Sequence, residues 1–510
     1  MKKFLLLISI LSFFLLNNSW KGLVFAESIS LVLQDKNKEL SLKHKLAGDD
    51  WFKKGELKKA AKEYLEALKL SKDYDLEEII TMGIRIAWGG KLKEAEEIFR
   101  EVLQKDPQNR RAILYLVRVI SWQGRQIEAL NILDDFLRKY PSDEEALLLK
   151  ANALRYLGRS DLALKFYDEI LSKREDFDTR LGKAYAYANL GIPSKVEENF
   201  KLLKPIYPYQ EKDLKELEKF KNFLFNPSFL AGFTYFQDTD NNEVYTYRLG
   251  FEGYVKDFRI LTNYYYREGS DDYRKAYSNE FIVDVGKRIT DFIWLSANLG
   301  ISQGGFDKSF VIGGINLSKL FLKGQMGFSL NKRVLVDTAE LIERNIRVLT
   351  ANFFLNQVIT DCLSIYVNYN HRWYSDSNQA DFVRFSFPYK IKFGNPSLSI
   401  GYRIVYWDFK KQTRHGYFDP NDFWANQIFF TIYYEKSWGY LYLEPFVGYQ
   451  IFKRYGDWSY DKVYAGTGII GLKLKDKLNL EMSLEGGNYA AGAVTGWKYY
   501  QSGFLLKYVF

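Results

Sequence analysis

The sequence predicts a two-part chain, an all-α solenoid followed by a transmembrane antiparallel β-barrel of about 16 strands. Three observations carry this. A glycine returns every 33 to 35 residues between Lys45 and Pro208, apolar and polar residues alternate in short segments from Phe229 to Phe510, and the links between those segments are alternately short and long. Aromatics make up 17% of the chain, with 38 Tyr and 39 Phe, a usage suited to strands with one apolar face and two headgroup girdles. Mean hydropathy is −0.29, and the one apolar run near the length of a membrane helix is at the N-terminus.

That run predicts a signal peptide over 1–26. Lys2 and Lys3 form its charged start, Phe4 to Leu16 its apolar core, and Val24-Phe25-Ala26 a cleavage site before Glu27. A linker is expected over 27–44 and the solenoid over 45–225. Its glycines are Gly55, Gly90, Gly124, Gly158 and Gly191. Five residues after each comes a small or apolar residue (Ala60, Ala95, Ala129, Ala163, Val196), and nine after it a bulky one (Tyr64, Phe99, Leu133, Tyr167, Phe200). Pro107, Pro141 and Pro208 close three of the units. Glycine suits the tight turn between two helices, alanine the close approach of the second helix, and proline its end. The pattern resembles the tetratricopeptide repeat, in which each helix pair buries its apolar face on the next. The resemblance implies a scaffold that docks periplasmic proteins, and Glu211 to Leu224 reads as a final capping helix.

The barrel is expected over 226–510. Its predicted strands are 229–237, 243–254, 258–267, 276–288, 292–302, 309–318, 321–331, 341–358, 362–373, 380–393, 397–408, 423–435, 439–452, 460–474, 478–489 and 496–510. Odd-to-even links are the longer, polar ones (238–242, 268–275, 303–308, 332–340, 374–379, 409–422, 453–459, 490–495). Even-to-odd links shrink to a few residues, such as Val255-Lys256-Asp257 and Lys475-Asp476-Lys477. Short periplasmic turns and longer external loops place both barrel ends, and hence the solenoid, in the periplasm. Leu363, Ile365, Val367 and Tyr369 would face outer-membrane lipid. The row ending at Phe510 resembles the C-terminal signal read by the barrel assembly machinery.

A barrel of ~16 strands leaves an aqueous passage where ~8 strands would not. No internal segment is left over to plug it, so an open or loop-gated channel is expected. Arg248, Glu252, Asp284, Tyr366, Asn368, Arg384, Arg403, Trp407, Tyr442, Glu444 and Glu481 are expected to line the lumen, together with Lys473 and Glu485. His415, Gly416, Tyr417, Phe418 and Pro420 lie in the longest external link and are the candidate gating loop. Over 226–510 there are 32 Lys and Arg against 28 Asp and Glu, a balance that favours a neutral or zwitterionic cargo. It offers no basic stripe for nucleic acid.

Signal peptide, solenoid and barrel in this order resemble the outer-membrane exporters of exopolysaccharide: the cellulose synthase operon protein C family, the poly-N-acetylglucosamine export porin and the YaiO-type repeat barrels. Gly416-Tyr417-Phe418-Asp419-Pro420-Asn421-Asp422-Phe423 is similar to the first family's Gly-Tyr-(Tyr/Phe)-Ser-Pro-Gln-x-(Tyr/Phe) motif, with Asp419 for Ser and Asn421 for Gln. The resemblance implies passage of a polysaccharide. The rival expectation is an anchored interaction protein or surface receptor whose barrel does not conduct. No enzyme, cofactor or metal is expected. His44, His371 and His415 have no ligand spacing, Cys362 is the sole cysteine, and neither a nucleophile elbow nor a phosphate loop occurs.

Overall fold

The computed structural model describes residues 34–305, 308–489 and 498–510. The expected signal peptide and the link 490–495 lie outside the described residues. The chain divides into two compact units, 1–123 and 124–510.

The first unit holds helices α1 (34–53), α2 (Leu57–Leu70), α3 (Leu76–Trp88), α4 (Leu92–Lys105) and α5 (Arg110–Trp122). Gly55 and Gly90 take φ of +75° and +84° in the α1–α2 and α3–α4 turns, a conformation that would strain a residue with a Cβ. Ala60 and Ala95 are fully buried behind them, and Tyr64 and Phe99 fill the space between helices. Asp75 and Asn109 cap α3 and α5, accepting from the N–H of Glu78 (2.7 Å) and Ala112 (3.0 Å).

The second unit opens with α6 (Gln126–Lys139), α7 (Glu144–Tyr156), α8 (Ser160–Leu171), α9 (Phe177–Leu190), α10 (Pro193–Leu202) and α11 (Pro208–Phe225). The same design repeats: Ala129, Ala163 and Val196 are buried, with Leu133 and Tyr167 in the core. Helix α11 starts at Pro208, three residues earlier than expected, because proline is favoured in a first turn.

The strands follow directly. They are β1 (Ser228–Asp238), β2 (Glu243–Val255), β3 (Phe258–Ser270), β4 (Lys275–Thr290), β5 (Ile293–Gln303), β6 (Ser309–Phe321), β7 (Gly324–Val334) and β8 (Arg347–Val358). Next come β9 (Ser364–Tyr374), β10 (Gln379–Lys392), β11 (Ser397–Phe409), β12 (Asn421–Lys436), β13 (Gly439–Arg454), β14 (Asp457–Lys475), β15 (Leu478–Gly487) and β16 (Tyr499–Val509). These sixteen strands among the described residues close into one barrel. β1 meets β16 antiparallel, with Ser228 opposite Val509 and Asp238 opposite Tyr499. Side chains of one parity on each strand point outward. Leu249, Phe251, Leu299, Val311, Ile315, Phe504 and Phe510 stay exposed there, an apolar belt suited to lipid.

One expected strand is corrected. Residues 341–346 do not begin β8; a short helix, α12 (Ala339–Arg344), precedes it, and β8 starts at Arg347. Thr338 caps α12 by accepting from Leu341 N–H (3.2 Å), and Asn345 ends it in a left-handed conformation (φ +53°). Leu341 and Ile342 are adjacent and both fully buried. A strand would send them to opposite faces, whereas here both are enclosed around a helix.

At the short-turn end, barrel turns grip the helices of the same unit. Asp361, between β8 and β9, accepts from Ile127 N–H (2.8 Å) and Glu128 N–H (3.0 Å), amides of the first turn of α6. Asp257, between β2 and β3, takes Ser194 N–H (3.0 Å) and Oγ–H (2.8 Å) at the start of α10. Arg288 Nε donates to Leu190 O (3.0 Å) at the end of α9, where carbonyls lack helix partners. Leu320 packs on the cluster that holds Ala163, Tyr167 and Leu190.

Candidate functional site

The candidate site is the barrel interior. Register decides which side chains line it, because inside positions on adjacent strands stand opposite one another. Arg384 faces Val405, Arg403 faces Gln427, Glu444 faces Thr467, and Thr467 faces Glu485. Continuing round, Arg248 and Glu252 on β2, Asp284 on β4, Tyr366 and Asn368 on β9, Trp407 on β11, Tyr442 on β13 and Glu481 on β15 all have inward parity. Lys473 and Asn479 form another inward pair.

These residues form several groups rather than one constellation. Glu252 accepts from Arg259 Nε (2.7 Å) and Lys507 Nζ (3.0 Å), and Arg259 also lies 4.0 Å from Asp284. Arg248 Nε donates to Asn263 Oδ1 (2.8 Å). Arg403 is paired with Glu444, which also accepts from Tyr442 OH (2.5 Å). Tyr440 OH bonds to Glu481. Asn368 Nδ2 donates to Asn352 Oδ1 (2.8 Å). The sequence reading missed a second amide chain, in which Asn298 donates to Asn331 (3.2 Å), Asn331 to Asn316 (3.1 Å) and Asn316 to Ser296 (3.3 Å). Every other residue of these strands carries that signal, but only the register shows that the amides meet. Most inward charges are matched in pairs, and amides, hydroxyls and rings make up much of the rest.

The expectation that no segment could plug the barrel is also corrected. Loop 335–346, carrying α12, turns inward from the β7–β8 link and reaches β3 and β4. Ala339 and Ile342 pack on Ala276 of β4, and a Cβ on Gly269 of β3 would meet Ala339 N at 3.0 Å. Arg274, beside β4, holds Glu340 (3.2 Å) and Glu343 (3.6 Å). Asn345 donates to Gly305 O (2.8 Å) in the β5–β6 link. The segment supplies its own apolar face, so it packs into the mouth as a core helix would.

The candidate gating loop folds the same way. His415 Nδ1 and Tyr417 OH both lie 2.8 Å from Asp376 Oδ2, and Tyr417 stacks on Tyr374 with centroids 4.9 Å apart. Phe418 makes edge contacts with the inward rings of Phe423 (5.9 Å) and Phe452 (5.3 Å). Pro420 O accepts from Phe409 N–H (3.0 Å), pinning the loop at its base. A Cβ on Gly416 (φ +86°) would touch the Glu340 side chain at 3.0 Å, so the two inward loops meet there. Asp419 is fully buried (0% exposed); it accepts from Thr413 N–H (2.5 Å), and burial pushes its carboxyl above the usual range.

Around these loops lies an apolar cluster that includes Val405, Phe418, Phe423, Phe429, Phe446, Val463 and Tyr489, with Phe236 and Phe382 against it. Inward residues at the long-loop ends of the strands, such as Ser278, Ser302, Ala380 and Phe452, are buried accordingly. Among the described residues, no group of three or more His, Cys, Asp or Glu could hold a metal ion.

The Tetratricopeptide repeat family profile matches residues 89–153. No curated protein sequence matches the chain. Among solved structures, the chain is similar to a "bacterial polysaccharide outer membrane secretin", with 14% identity, TM-score 0.48, and 56% of this chain and 98% of that chain covered. It is also similar to a tetratricopeptide repeat protein from Parabacteroides merdae (21% identity, TM-score 0.29, 36% and 75% covered). A thermophilic protein of the same repeat type from Thermus thermophilus aligns at 16% identity and TM-score 0.30, over 35% of this chain and 98% of that one. The chain thus combines a tetratricopeptide-type helical region with a closed sixteen-stranded barrel.

Proposed function

We propose that the protein is an outer-membrane channel for export of an exopolysaccharide, held shut at its outer mouth, with a periplasmic repeat scaffold over 45–225 that docks partner proteins. The observation that carries this reading is the interior itself. It is wide enough at sixteen strands to conduct, it is lined by amides, hydroxyls, rings and matched charges, and it is stoppered only by loops. A column of hydrogen-bonding groups whose charges are mostly paired suits a hydroxylated chain better than a small ion. The architecture's resemblance to the polysaccharide exporters supports the same cargo class. No nucleotide site accompanies the pore among the described residues, so polymer synthesis would supply the drive.

The packed stopper favours one second reading, a barrel that only anchors the scaffold. Planar-bilayer recording separates them. The channel reading expects little current from the native protein and a large, steady current once residues 411–419 are replaced by a short Gly-Ser link. A folded variant that stays silent, also after loop 335–346 is shortened, would leave the anchor. In the native host, loss of the gene should abolish secreted polysaccharide.

A further inference from the structure

Beneath the packed loops, on the inner wall of β10, β11 and β12, lies a group of buried polar atoms that make no hydrogen bond of good geometry. Arg384 Nε, Arg403 Nε, Trp407 Nε1, Gln427 Nε2 and Tyr489 OH are each buried and have no hydrogen-bond partner. The register gathers them. Arg384 stands opposite Val405, so Arg403 and Trp407 flank it on β11, and Arg403 in turn stands opposite Gln427. Tyr489 packs over the same wall, 5.6 Å from Phe446 and 6.1 Å from Phe423, and interacts with Arg384, Arg403 and Gln427.

Four of the five are N–H groups, which can only donate. The nearby carboxylate and amide acceptors are already used, leaving only the Tyr489 hydroxyl: Gln427 Oε1 takes Arg403 Nη1 (3.3 Å), and Glu444 takes Arg403 and Tyr442. Gln427 is 1% exposed, so its free amide is not a surface group turned to bulk water. Arg403 is neutralised by Glu444, but no carboxylate among the described residues lies within ion-pair reach of Arg384. Arg372 adds a third guanidinium, 5.5 Å over the Trp407 ring, its Nε spent on Asn370 Oδ1 (2.8 Å). Buried donors without acceptors cost free energy, and a cluster of them beside an unmatched cation is complementary to an anion.

We propose that Arg384, Arg403, Trp407 and Gln427 form a subsite for the carboxylate of an acidic sugar residue in the exported chain. A carboxylate offers two oxygens to the donors, and Trp407, in edge contact with Phe382 (6.0 Å), bounds them on one side with an apolar surface. The subsite rests on the export reading and narrows its cargo. Net charge over the barrel favours a neutral polymer, whereas this local cluster selects one with carboxylates along it.

The test is calorimetric titration of the full-length protein in detergent with two probes, trigalacturonate and maltotriose, for the native chain, Arg384→Gln and Arg384→Lys. The proposal expects trigalacturonate to bind at least tenfold more tightly than maltotriose. That preference should be lost in Arg384→Gln, partly kept in Arg384→Lys, and weakened by salt. Equal binding of the two sugars to the native protein would overturn the subsite while leaving polysaccharide passage intact. Trigalacturonate binding unchanged in Arg384→Gln would overturn it too. Binding of neither sugar would overturn the subsite and count against the export reading as well. Circular dichroism of each variant confirms that a lost preference is not lost folding.

Discussion

Tyr167 shows how much one repeat position carries. It is fully buried between α8 and its neighbours, its OH donates to Asn152 Oδ1 (2.7 Å), and burial pushes its hydroxyl up to about 12, so it remains a donor throughout the working pH range. A Cβ on Gly182 would strike its ring at 2.8 Å, so glycine there makes room for the ring. Tyr167→Phe should cost about 1 kcal/mol for the lost hydrogen bond, and Tyr167→Ala about 3–5 kcal/mol for the cavity. Thermal melting of the full chain, followed by its helical circular-dichroism signal, checks the order, and equal shifts for the two variants would contradict it. At this scale the sequence was legible wherever a residue type has one physical use. The spaced glycines, alanines and rings of the repeat, and the inward parity of Arg403 or Glu481, could be read directly. The amide chain through Asn298, Asn331 and Asn316 could not, because strand-to-strand distances are not written in any one strand.

Elements were legible where period alone defines them, and least so where a short segment has a tertiary partner. The sixteen alternating stretches lie close to the sixteen strands. Leu341-Ile342 reads as strand in the sequence because two adjacent apolar residues fit a buried strand as well as a helix, and only the pocket formed by β3, β4 and Arg274 decides between them. The turns were legible as turns, but their grip on the helices was not. Asp361 sits 233 residues beyond Glu128, the amide it caps, and no local signal connects them. Asp361→Ala should remove the α6 cap at a cost of about 1 kcal/mol. Hydrogen exchange is expected to speed up at the first amides of α6 while α8 is unchanged. Uniform acceleration across both helices would point instead to loss of the whole array.

For the whole molecule, the two packed inward loops make a pH dependence calculable in sign. Asp419 is buried in the inward loop between β11 and β12, and burial pushes its carboxyl above the usual range. The opposing pull comes from Thr413 and Arg454. The packed form therefore keeps this proton to higher pH than an open, hydrated form does. Its advantage is complete below the ordinary carboxylate range and is lost as pH rises through the raised value. Conductance of the native protein should be lower at about pH 4 than at about pH 7, and an increase on acidification would contradict this scheme. Arg274→Ala should raise conductance at neutral pH by releasing Glu340 and Glu343, since α12 would keep only its apolar contacts and the Asn345 bond.

The two inward loops cover different parts of the opening. Loop 335–346 leans on β3 and β4, whereas Phe418 and its ring cluster lean on β11 to β14, and they touch where Gly416 meets Glu340. They behave as a pair of half-doors with one overlapping edge. Such doors need not swing together. Freeing either leaf alone should uncover part of the aperture, so single-molecule current should rise in two unequal steps, with the upper level reached only when both leaves have left the frame.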